Sequence, residues 1–277
     1  MNTVGPPELA AALVAGVREL RLRPGRYGPA RITRPVRLVA ADPARPPRFG
    51  GLGTALVVDV EGSVALTHLR FGPGIARRGA ALRVLRGEVE LQDCELRQNL
   101  ALGDGGALHV GPGASVRLTR CVLWGNRGVG GGAVCADRAS VQLVDCQLHG
   151  NRARCGGAVA LDAARAELSG CLLVGNRAAR NGAALALRRG GSLRLDRSAL
   201  AWNRGAPAIS REDPAPQVAL ERVLGWANDV DLDGIDGELL AGPAGLTWRG
   251  GAPGVAPDSP AAALLGWSVA PAELPRG

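Results

Sequence analysis

Apolar residues along this chain alternate with polar ones in short runs, and the runs recur at a nearly fixed distance. A Val-x-Leu pair, or a close variant, occurs at Val36/Leu38, Val64/Leu66, Val89/Leu91, Val116/Leu118, Val141/Leu143, Ala166/Leu168, Leu193/Leu195 and Val218/Leu220, at intervals of 28, 25, 27, 25, 25, 27 and 25 residues. Three residues after each Leu stands one small or apolar residue: Ala41, Leu69, Cys94, Cys121, Cys146, Cys171, Ser198 and Val223 in turn. Eight residues after the Leu, from the third repeat on, stands Asn: Asn99, Asn126, Asn151, Asn176, Asn203 and Asn228. Gly-Ala follows at Gly106-Ala107, Gly132-Ala133, Gly157-Ala158 and Gly182-Ala183. Alternation over three to five residues is strand periodicity, and no stretch inside the repeat is long enough for a helix.

Short strands at a period of about 25, broken by Gly and Asn turns, describe the coils of a solenoid. The pattern predicts an all-β chain, a single right-handed parallel β-helix of about nine coils with 25–27 residues per coil. Each coil stacks on the last at about 4.8 Å, so the rod would be roughly 45 Å long. Stacking puts identical residues above one another. The Asn column then forms a ladder of side-chain amides that satisfies turn backbone, Leu and Cys fill a thin core, and Gly supplies turns that a side chain would block. Three regions follow: an N-terminal capping helix over 1–17, the parallel β-helix over 18–250, and a C-terminal cap or tail over 251–277. Pro7, Glu8 and the apolar Leu9, Leu13 and Val17 suit a short amphipathic helix covering the first open edge.

Composition fits a narrow regular interior. Ala, Leu and Val dominate the 46% hydrophobic content, with two Phe and one Tyr in 277 residues. All 33 basic residues are Arg, and the formal net charge is +8. Residues 1–90 carry 14 Arg against 7 acids, residues 91–205 carry 15 against 8, and residues 206–277 carry 4 against 10. This polarity suits an oriented partner or end-to-end or side-by-side self-association. No basic n-region opens the chain, and no apolar run reaches membrane-spanning length. The expectation is a cytoplasmic protein, or a secreted one if a leader has been removed, with no membrane span.

The residue after the ladder Asn is the first candidate site: Arg127, Arg152, Arg177 and Arg204 follow one another on four consecutive coils. Like charges stacked at strand spacing are destabilising, so they call for compensation by carboxylates, solvent or an anionic partner. Arg suits carboxylate, sulfate or phosphate groups. Trp124, two residues before its Asn, adds a surface for a sugar ring or a protein partner. Trp226 and Trp202 lie in comparable places. The bland alternative is a splayed Arg stripe in solvent.

Other features read mainly as structure. The Cys column fits buried free thiols in a reducing compartment. His109 and Cys135 share an outward column without a third group to orient them. Asp93/Arg120/Asp145, Glu90/Arg117 and Glu167/Arg194 form alternating charge ladders. Asp229, Asp231 and Asp233 before Gly234 resemble half of a calcium loop, but Leu240 stands at its twelfth position. No cofactor is expected.

The segments "GGAL", "GGAV", "GGAV" and "LWGN", "LHGN", "LVGN" resemble the GGA[ILV]/FxxN repeats of polymorphic outer-membrane proteins, with Leu standing for Phe. More broadly the chain resembles the right-handed parallel β-helix, pectin-lyase-like superfamily. "LRLRPGRYGPARITRPVRLVAAD" is similar to that superfamily's first coil, and "GWANDVDLDG" with "APDSPAA" to its last. The resemblance covers roughly residues 18–265. It implies a polysaccharide lyase, hydrolase or epimerase if the chain is an enzyme. Lyases of this kind carry a calcium-binding acidic cluster facing a basic residue, and the outward acids here are instead matched with Arg. The sequence therefore leans toward a non-catalytic scaffold or binding module that presents its Arg stripe to an acidic polysaccharide or protein partner. A polysaccharide-active enzyme is the alternative, and nucleic-acid binding is a weaker third, since no aromatic interleaving or nucleic-acid motif accompanies the charge.

Overall fold

The computed structural model describes residues 2–212, 217–226 and 228–229, with short strands at 232–233, 240–241, 246–249 and 252–255. The described chain is a parallel β-solenoid of about eight turns, preceded by a shorter first turn in which Glu19–Leu22 pairs with Val36–Ala40. The structure thus has about eight turns where the sequence pattern predicts about nine.

Each turn has four faces. The coil that begins at Ser115–Thr119 illustrates them. This first-face strand is followed by Val122–Trp124 on the second face. A short third face comes next, bridged in register at Arg127. Val134–Asp137 forms the fourth face before the next coil starts at Ser140–Val144. First and fourth faces belong to one 17-stranded sheet, and the second face to an 11-stranded one. All stacking within both is parallel, with Val116, Val141, Ala166, Leu193 and Val218 in one register column.

The alternation in the sequence sets which side chains enter the core. Val116, Leu118, Val141, Leu143, Leu168 and Leu195 are all buried, while the residues between them, such as Arg117 and Arg194, point outward. The chain's single Tyr and both its Phe stack in one column. Tyr27 lies 5.0 Å from Phe49, and Phe49 lies 5.3 Å from Phe71, centroid to centroid. Leu96, Leu123 and Leu148 continue that column. Aromatic rings thus fill this column in the early turns and Leu in the later ones.

The ladder forms as predicted. Asn99, Asn126, Asn151, Asn176 and Asn203 are buried. Each Nδ2 donates to Oδ1 of the Asn one coil on, at 2.9–3.1 Å. Each backbone N–H donates to the same oxygen at 3.0–3.1 Å. Nδ2 also donates to a second-face carbonyl of the coil before, such as Leu123 O from Asn151. No buried amide in the middle of the column is left unsatisfied, which keeps its burial from being costly.

The Gly-Ala turns are shifted in one place. Gly156 and Gly182 both take positive φ, at 65° and 60°, and Gly157 N donates to Gly182 O. Gly182 therefore aligns with Gly156, and Ala183, not Gly182, stands in the column of Gly157. The longer coil displaces the expected Gly182-Ala183 alignment by one residue.

The N-terminus is more elaborate than a helix. Asn2–Val4 is a strand paired in parallel with Glu19–Leu22, followed by a 3-10 turn at Pro6–Glu8 and an α-helix at Leu9–Val14. Leu9 and Leu13 are buried against the first turns and Val14 faces solvent. Tyr27 locks this cap, because its hydroxyl donates to Val4 O and Arg23 O at 3.0 and 2.9 Å. At the other end Leu246–Arg249 and Ala252–Val255 pair antiparallel. The rest of the tail lies outside the described residues.

Candidate site on the third face

The third face is shaped by the ladder. After each Asn turns inward, the next residue must turn outward, and the four Arg do so. Arg127, Arg152, Arg177 and Arg204 stand one coil apart in a single parallel register. All four are exposed. No carboxylate lies within ion-pair distance of any of them among the described residues. Elsewhere Arg is matched: Arg120 to Asp93 at 2.8 Å, Arg86 to Asp59 at 2.7 Å, Arg70 to Glu95 at 2.9 Å. The stripe is thus a run of uncompensated like charge at strand spacing, on a protein that pairs many of its other cations.

The same register runs on toward the N-terminus, where it becomes apolar. Arg127 pairs with Leu100, Leu100 with Ile75, and Ile75 with Leu52. Leu102 and Val129, two residues beyond Leu100 and Arg127, are exposed beside this column. The reading from sequence missed this block, although extending the rule of one residue past the ladder position to Asn99 gives Leu100.

Trp124 sits on the second face, three residues before Arg127. Its ring is parallel to that of His149 at 6.1 Å between centroids, and the Arg97 guanidinium lies 5.9 Å from its centre. Its Nε1 donates to Glu95 Oε1 at 3.0 Å. Both ring faces are therefore turned to neighbours in the same outward column, which leaves the ring edge toward solvent. Burial pushes His149 down to about 4. The side chain of Trp226 lies outside the described residues.

The Cys column carries more than size. Cys94, Cys121, Cys146 and Cys171 are buried free thiols. Each Sγ donates to a Leu carbonyl one coil back and to the carbonyl two residues before it, at 3.3–3.5 Å. Ser198 takes over the same task, donating to Asp196 O at 2.8 Å and accepting from Cys171 N at 3.0 Å. The column asks for a small donor at these coils, not merely a small apolar group.

His109 and Cys135 are register neighbours, as expected. Both are buried, although their column points away from the core. Burial, with Arg78 and Arg83 nearby, lowers the His109 pKa, and burial pushes the Cys135 thiol up to about 12. A neutral thiol beside a neutral imidazole is a poor nucleophilic pair.

One of the charge ladders is rearranged, and another, Glu90 with Arg117, forms no ion pair among the described residues. Glu90 faces Arg117 and Glu167 faces Arg194 in register. Glu167 nevertheless pairs with Arg165 of its own strand, and Arg194 reaches Glu221 at 3.2 Å. A crevice of about 200 Å³ beneath Pro43 and Pro46 is lined by His68, Arg70, Asp93, Glu95 and Arg120. Its Arg side chains are already matched with its acids. Asp229 Oδ2 accepts from Gly205 N at 2.8 Å, and its backbone N–H donates to Asn203 O at 3.1 Å. Asp231 and the side chain of Asp233, which the calcium reading needs, lie outside the described residues. Among the described residues no group of three His, Cys, Asp or Glu is placed to hold a metal ion, and no helix is long and apolar enough to cross a membrane.

Stacked coils and a buried Asn ladder make this a parallel β-solenoid, a fold that supports a scaffold or binding module in general. No protein-family model and no curated protein matches the chain. A solved structure described as Geobacillus virus E2 ORF18 is similar over 91% of this chain and 68% of its own, at 10% identity and a TM-score of 0.37. A likeness that loose supports no argument.

Proposed function

We propose that this chain is a non-catalytic binding module that presents Arg127, Arg152, Arg177 and Arg204, with the edge of Trp124 beside them, to an acidic polysaccharide or protein partner. The observation that carries this reading is the unpaired stripe itself. Four guanidiniums repeat at coil spacing with no acid among the described residues to relieve their repulsion, and a linear polyanion offers charge at a comparable repeat. The rigid backbone beneath them holds the spacing without further ordering cost.

The repeats' resemblance to the pectin-lyase-like superfamily favours one second reading, a polysaccharide-active enzyme. Both are tested together by titrating the protein with acidic polysaccharides at low and high salt while following ultraviolet absorbance for unsaturated uronides. Salt-sensitive binding without rising absorbance is expected. Arg152→Ala with Arg177→Ala should abolish it and leave Tm unchanged or higher, because repulsion is removed. Rising absorbance would establish a lyase instead, and a large loss of Tm would make the two Arg structural. The six free cysteines support a reducing, cytoplasmic setting for whichever partner is bound.

A further inference from the structure

The third face joins two chemistries in one register column: Leu52, Ile75 and Leu100, then Arg127, Arg152, Arg177 and Arg204. Leu52 is 81% exposed and Leu102 70%. Of the five large hydrophobic side chains exposed among the described residues, four lie here, the exception being Val14 on the capping helix. Scattered exposed aliphatics are ordinary, but a cluster on one face marks a contact surface. The Arg column continues it, and an apolar centre flanked by Arg is the usual make-up of a protein interface. Leu, Ile and Val offer no flat ring for a sugar to stack on, so a glycan leaves this half of the face unused.

We propose that this face docks a second copy of the chain, through the neighbour's C-terminal quarter. This deepens the binding-module reading and rests on the same Arg stripe. The charge complement is in the sequence: residues 206–277 carry 4 Arg against 10 acids, and they include the apolar runs "GELLAGPAGL" and "AAALLGWSVA". Leu52 and Leu102 are exposed among the described residues, an open surface that a second copy's acidic and apolar quarter would cover. The contact joins two different surfaces, so it is head-to-tail and does not close as a dimer. Association should therefore proceed through successive oligomers as concentration rises.

Sedimentation velocity on the full chain, across a concentration series at low and high salt, tests the assignment. Stepwise, salt-weakened association is expected. Leu52→Ser with Leu102→Ser, and separately Arg152→Glu with Arg177→Glu, should each weaken it by about tenfold or more at unchanged Tm. A chain that stays monomeric throughout, or association that neither double variant alters, overturns the proposal. Heparin retention run beside it separates this from the broader reading, because retention depends on the Arg pair and not on the Leu pair. A monomer that retains heparin sinks only the self-docking. Association without heparin retention supports self-docking and removes the glycan.

Discussion

Oδ1 of Asn151 accepts two hydrogen bonds from Asn126, one from its backbone N–H and one from its side-chain Nδ2, both at 3.0 Å. One buried oxygen thus holds both the turn and the side chain of the coil below. Asn151 Nδ2 repeats the pattern toward Asn176 Oδ1 and also donates to Leu123 O. Asn151→Ala therefore strands two donors of Asn126 and the Leu123 carbonyl on the coil below, removes one of the two bonds to Asn176 Oδ1 on the coil above, and should cost roughly 3–5 kcal/mol. Asn228→Ala, at the last described rung, strands two donors of Asn203 and the Leu200 carbonyl in a half-exposed place. It should cost less than half as much. Urea unfolding of both variants, compared by midpoint, checks the difference, and equal small losses would refute it.

The turn glycines separate two kinds of strain. Gly113 has φ 73° and nothing near where a Cβ would be, so Gly113→Ala should cost only the left-handed penalty, about 1 kcal/mol. Gly156 has φ 65°, and a Cβ there would sit 2.3 Å from Val159 O, a backbone atom. Gly156→Ala should cost roughly 3 kcal/mol or more. Thermal unfolding of the pair reads the gap directly.

For the thiols, Cys146→Ser should change stability by less than about 1 kcal/mol, because a hydroxyl in that column can donate as Ser198 does. Cys146→Val keeps the bulk and loses the donor, and should be the worse variant. None of the six cysteines should react with a thiol reagent in the native state. At pH 8 a Cys135 pKa of about 12 leaves about one thiolate in ten thousand. Rapid labelling without denaturant would contradict the burial.

Acid should act on this fold in two stages. Burial holds His149 at about 4, below the ordinary 6.5, so the folded state favours the neutral ring. Its contribution is complete above about pH 6.5 and is lost as pH falls toward 4, roughly 3 kcal/mol in all. Asp59 and Glu167, held down chiefly by Arg86 and Arg165, lose theirs only below the usual carboxylate range. His149→Gln should flatten the fall in Tm between pH 6.5 and 4 and leave the later fall intact. An unchanged profile would place the first stage elsewhere.

The period and the inward residues were legible because stacking makes every coil repeat the same demand: Leu118, Cys121 and Asn126 each recur where the core requires them. The bends were not. Asp93, Arg120, Asp145 and Arg197 turn the chain between the first two faces with φ of 43–53°, a left-handed conformation that Gly170 and the Asp residues suit but the Arg do not announce. Local sequence did not choose it there. Closure against the neighbouring coil did, through bonds such as Arg120 N to Val144 O at 2.9 Å. The candidate site was half legible for the same reason. A charge repeated four times is visible in a string of letters, whereas Leu52 and Ile75 join that column only through register, since Gly51 and Gly74 occupy the rung where later coils have Asn.

The ladder is also a vector. From Asn99 to Asn203 every side-chain amide sends one N–H to the Oδ1 of the Asn one coil toward the C-terminus, so from Asn126 to Asn228 every side-chain carbonyl points toward the N-terminal coil. Six aligned dipoles add along the rod, and the column ends on an acceptor with no donor, Oδ1 of Asn99, where Gly74 begins the plain turns. A duplicated coil inserted anywhere inside the column would pass this direction on unchanged. Length is therefore free to vary in such a rod, while its sense, once the first rung is set, is not.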